Sequence, residues 1–129
     1  MSPPRPPYLP DIRGGTPHFV RDIGGYRLVM LRDVESPGPV EYLYVLAAFR
    51  AGERIPCLCV ASEKNAMAAR LGGGSHFLGV FPGEGHLNFG ASDDWGDLAR
   101  FTERALAICR ERLALPPDGA AAEAPAPPD

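Results

Sequence analysis

The sequence lacks any surplus of positive charge: 13 lysines and arginines stand against 16 aspartates and glutamates, a net charge of -3 at pH 7. A chain that condenses onto nucleic acid needs cationic side chains to displace counterions from phosphates, so that class of partner is not expected. Nor do the basic residues gather in one place. Arg100, Arg104, Arg110 and Arg112 share their stretch with Asp97, Glu103 and Glu111, the mixed pattern of a solvated helix face.

Long apolar runs are missing as well. The longest, Tyr42 to Phe49, falls far short of the roughly 20 residues that span a bilayer as a helix, so no membrane helix is predicted. The first ten residues are broken by Pro3, Pro4, Pro6, Pro7 and Pro10 and hold no apolar core of a secretory signal. Cysteine is scarce and odd in number, Cys57, Cys59 and Cys109, which argues against a disulfide framework and for a reducing, cytoplasmic setting. There is no Cys-x-x-Cys. Cys57 and Cys59, read as alternate residues of one strand, share a face and in principle an ion, yet zinc sites favour two to four intervening residues at a turn. All three cysteines are therefore expected to be packing residues, and neither a metal nor a cofactor is predicted.

What remains suits one small globular domain, with 45% hydrophobic and 22% charged residues in a chain of 129. Residues 1–17 read as a proline-rich flexible arm and 116–129 as a Pro- and Ala-rich disordered tail, because neither can bury enough apolar surface. Residues 18–115 form the domain. Turn signals divide them into strands over Pro17 to Asp22, Tyr26 to Asp33, Val40 to Arg50 and Ile55 to Ala61, followed by a hairpin of His76 to Phe81 and His86 to Phe89 around residues 82–85. Ser62 is placed to cap a short helix reaching Leu71, closed by Gly72. The stripe Trp95, Leu98, Phe101, Ala105, Ile108, Cys109 and Leu113 marks a long helix from about Asp94 to Leu113. The predicted fold is α+β: an antiparallel sheet of four or five strands, meander plus hairpin, with the long C-terminal helix and the short one packed on one face.

Four constellations invite a chemical reading. The run Gly72-Gly73-Gly74-Ser75 ends a helix rather than opening one, the wrong direction for a phosphate loop. Ser75 and His76, as adjacent strand residues, should project to opposite sides and not form a nucleophile and base. A turn over 82–85 sets Phe81 opposite His86 and Val80 opposite Leu87, which turns His76 and His86 to different faces. The segment 82–95 is the densest in polar groups, and an enzyme or ligand-binding protein using Glu84, His86, Asn88 and Asp93 is the alternative reading. No nucleophile or metal set accompanies it, so an enzyme is the less expected outcome.

The leading reading comes from the strands. Val40 to Arg50 is apolar on both sides, with Tyr42, Tyr44 and Leu46 on one and Leu43, Val45 and Phe49 on the other, and Leu28 and Met30 likewise oppose Val29 and Leu31. Four strands make a sheet about 19 Å wide, whereas one helix covers about 10 Å. The two helices thus suffice for one face. Unless the proline arm folds over the other, that face, with Phe77, Phe81, His86 and Asn88 on the hairpin, is expected to meet a protein partner or a second copy in a homodimer. The function so implied is a non-enzymatic protein-binding or regulatory module.

Overall fold

The computed structural model describes residues 9–67, 70, 72–83 and 85–116. Six strands form one antiparallel meander: β1 (Gly14–Ile23), β2 (Tyr26–Glu35), β3 (Tyr42–Arg50), β4 (Leu58–Lys64), β5 (His76–Phe81) and β6 (Leu87–Ser92), each paired with its neighbours in sequence. A 3-10 turn, Asp93–Gly96, leads into the single long helix, α1 (Leu98–Leu113). The α+β class stands, with six strands instead of four or five.

β1, expected over Pro17 to Asp22, begins at Gly14, inside the segment read as an arm. Two features let it form. Gly24 and Gly25 both take positive φ, 57° and 89°, the geometry of a two-residue turn whose twist suits a hairpin. Pro17 sits where the register slips between Pro17 and Phe19, at a bulge on an edge strand, where its missing N–H breaks no ladder bond.

The short helix starting at Ser62 is corrected. Ser62, Glu63 and Lys64 belong to β4, opposite Leu78, Phe77 and His76. Ser62 does not cap; its hydroxyl is fully buried and donates to the Trp95 carbonyl at 2.6 Å. Asn65 organises the connection instead, its Oδ1 accepting from Met67 N and its Nδ2 donating to Gly74 O. Residues 68, 69 and 71 of the expected helix lie outside the described residues.

The C-terminal helix is also subdivided. Ser92 caps the 3-10 turn by accepting from Asp94 N, and Asp97 caps α1 by accepting from Arg100 N at 3.0 Å, each hydroxyl or carboxylate satisfying an otherwise unpaired N–H. Ala114 closes the helix in the left-handed conformation. Among the described residues no helix is long and apolar enough to cross a membrane.

Both faces of the sheet are apolar, as the strand pattern requires. On one, Leu28, Met30, Leu46, Leu58, Val60, Leu78 and Val80 pack under Phe101, Ala105, Ile108 and Cys109 of α1. On the other, Val45, Ala47, Cys59, Ala61 and Phe81 are buried with Leu9, Ile12, Val34, Tyr42 and Phe49 against them. A bulge refines the expected alternation of β3. Tyr42 opposes Glu63 while Tyr44 opposes Ser62, so Leu43 is the extra residue and the two tyrosines join different cores. Tyr44 packs on Phe101, with ring centroids 5.5 Å apart, and Tyr42 lies on the second face.

Candidate binding surface

The second face has a roof from its own chain. Residues 9–13 cross it ahead of β1: Arg13 N donates to Glu35 O at 2.8 Å, and Leu9 and Ile12 pack on the buried cluster. The Asp11 carboxylate lies against Gly38, where an added Cβ would come within 2.8 Å of Oδ2. The Tyr42 pKa is pushed up to about 12, chiefly by burial and next by the Glu63 carboxylate, with the polar backbone of Asp11 opposing.

Beside this strap sits a polar knot. His86 Nε2 meets Glu63 Oε2 at 2.8 Å. The imidazole stacks on Phe81 with centroids 4.4 Å apart and planes 8° from parallel, and Tyr42 meets Phe81 edge-on at 6.5 Å. The Glu63 side chain is only 9% exposed, His86 41%. Burial raises the Glu63 carboxyl above its ordinary value, and the neighbouring imidazole works against that rise. The pair bridges β4 and the end of the β5–β6 hairpin, over Gly79. A Cβ at Gly79 would overlap Glu63 Oε2 and come within 2.9 Å of His86 Nε2.

The hairpin register is the one its turn implied: Val80 opposes Leu87, which carries Phe81 and His86 to the same side. Phe81 is 4% exposed, so it is core under His86 and not a contact surface. Phe77 is half-buried opposite Glu63. Asn88 is exposed and turns inward on its own strand, where Oδ1 accepts from Gly90 N at 2.8 Å and braces the β6 bulge. Glu84 lies outside the described residues.

Asp93 is held elsewhere, by Ser75. Its Oδ1 accepts from Ser75 N at 2.8 Å, and Ser75 Oγ lies 2.8 Å from His76 Nδ1. The expectation that Ser75 and His76 diverge is thus corrected: β5 starts at His76, so Ser75 is free of strand alternation. Gly96 closes over this contact, since a Cβ there would meet His76 Nδ1 at 3.0 Å and Ser75 Oγ at 3.3 Å. Burial, then Lys64, holds the His76 pKa below its usual value, with Asp93 opposing. His86 and Asp93 are therefore engaged in separate networks and do not form one site.

The cysteines also separate. Cys57 precedes β4 and packs against the helix-side core, whereas Cys59 joins the second-face core. Burial pushes the Cys59 and Cys109 thiols up to about 12, the opposite of an activated thiolate. Among the described residues, no group of three or more His, Cys, Asp and Glu side chains is placed to hold a metal ion.

Between the strap and the sheet runs an apolar groove of about 320 Å³. Val29, Leu31, Val45, Ala47, Phe49 and Cys59 form its floor, Leu9, Pro10 and Ile12 one wall, and Arg54 and Pro56 its far rim. The residue that sequence reasoning missed is Glu63, read as the second residue of a helix. The available signal was Gly79 inside an apolar strand, which marks a close approach from a neighbouring element. No family model, curated protein or solved structure matches the chain.

Proposed function

We propose that the protein is a non-enzymatic binding module that takes an extended apolar segment of a protein partner in the groove on the second face of its sheet. The observation that carries this reading is the groove itself, apolar on floor and wall and bordered by an extended strand of the chain's own backbone. Leu9 and Ile12 already occupy part of this face as anchors on an extended segment, the mode in which side chains supply specificity to a docked peptide.

The strap also bears on which partner fits. A second copy docking face to face would have to displace residues 9–13, whereas a single chain fits beside them. An enzymatic reading draws less support, because His86 is turned toward a buried carboxylate and an aromatic ring, and among the described residues no activated nucleophile is placed beside the pair.

The test combines light scattering after size exclusion with binding of an environment-sensitive apolar dye. A monomer that binds the dye, and loses that binding when Leu31→Trp, at a half-buried lining position, fills the groove without altering the circular dichroism, is the expected result. Wild-type protein that binds no dye would overturn the reading, and a stable dimer would reassign the face to self-association.

A further inference from the structure

The two ends of the second face differ in charge. At the start of β3, the strap places Asp11 beside Tyr42, and the Glu63 carboxylate stands next to the same ring. At the other end, Arg54 is the one charged residue lining the groove among the described residues. Tyr42 and Phe49 are seven residues apart on β3, so the acidic and basic ends lie about 23 Å from each other at the usual rise per strand residue.

Arg54 is exposed and makes no hydrogen bond or ion pair among the described residues. Arg27, Arg32 and Arg100, by contrast, are matched with Asp22, Asp33 and Asp94. The neighbouring Glu53 lines a different cavity together with Asp22, Arg27 and Arg50 on the far side of Val29 and Phe49. Next to Arg54, Ile55 is 55% exposed. The rim therefore offers a planar five-donor fork and apolar surface together, and a guanidinium fork matches a carboxylate with two parallel hydrogen bonds.

We infer that the groove recognises the free carboxyl end of a polypeptide, with apolar side chains laid against the half-buried Val29, Leu31 and Phe49 and the terminal carboxylate on Arg54. This rests on the groove being the binding surface. The charge polarity sets the direction, because a carboxylate turned toward the start of β3 would approach the exposed Asp11 instead of Arg54.

Panning separates the possibilities. A random heptapeptide library displayed with free carboxyl ends is selected on the full chain, in parallel with the same library displayed internally. The expected result is enrichment of apolar residues at the last positions of the free-end library alone. Affinity of the enriched peptides should fall by about tenfold or more on amidation of the peptide or on Arg54→Gln, a surface change that leaves the circular dichroism unaltered. Equal enrichment in both libraries, or affinities indifferent to Arg54→Gln, would overturn carboxylate recognition and leave the groove reading intact. Enrichment in neither library would overturn the groove as a peptide site. Arg54-dependent binding of decanoate in that case would assign the groove to small apolar acids and overturn the polypeptide occupant.

Discussion

The two faces of the sheet both bury apolar strand residues, yet they are finished differently. The helix face is closed by a 16-residue amphipathic helix that buries Phe101, Ala105, Leu106, Ile108 and Cys109. The second face is closed by a strap that reaches it through Leu9 and Ile12 and leaves a groove beside them. A helix presents a stripe wide enough to seal a sheet, whereas an extended chain presents alternate side chains and covers a strip. One sheet thus has a sealed core on one side and, on the other, a core bordered by a partly open groove at Val29, Leu31 and Phe49.

The sharpest way to break the comparison is to truncate one anchor on each face. Phe101→Ala should cost about 3 to 5 kcal/mol, the usual loss for a fully buried phenylalanine. Ile12→Ala, on the half-buried strap, should cost about 1 kcal/mol and increase binding of an apolar dye. Urea unfolding of the two variants checks both numbers. Similar losses would show that the strap is as integral to the core as the helix.

Gly79 probes the second face from beneath. Gly79→Ala drives a methyl group into the Glu63–His86 pair and should cost about 1 to 3 kcal/mol, in the range of overpacked cores. Adding Glu63→Ala should recover part of that loss, a coupling that a double-mutant cycle measures. Additive losses would mean that the glycine serves the backbone and not the pair.

The smallest expected effect is on pH dependence. The folded Glu63 carboxyl has its pKa raised, so the folded state holds the proton more tightly than the unfolded chain does. Its contribution to stability is then complete below about pH 4.5, the unfolded value, and is lost as pH rises through the folded value. Glu63→Gln should flatten the stability profile in that window. An unchanged slope there would show that His86 compensates the buried charge in full.

Local signals made much of this legible. The glycine pair at 24–25, the helix stripe and the hairpin register that seats Phe81 against His86 all follow from short-range turn and periodicity rules. The second half of the polar knot did not, because Glu63 and His86 are 23 residues apart and meet across β5 through the gap that Gly79 leaves. Ser62-Glu63 also carries the chemistry of a helix start, and it was overridden by pairing with Leu78 and Phe77 on β5. Residues 9–12 hold two apolar side chains beside one proline and one acid, too few to mark a packed segment until the sheet below them is assembled. The bulge at Leu43 likewise reverses the side of Tyr42 without any residue that announces it.

The strictly sequential strand order bears on how the chain comes together. Every strand pairs with the one made immediately before it, so the sheet can grow as successive hairpins with little loop to close at each step, a topology associated with rapid folding for a β-rich domain. The two covers then arrive at opposite times. The strap leaves the ribosome first and waits for β3 and β4 to provide its floor, whereas the helix side stays bare until residues near Leu113 have been made. Of the two apolar faces, the one that ends up sealed is the one exposed longest during synthesis, and chains cut short within α1 are the ones expected to aggregate.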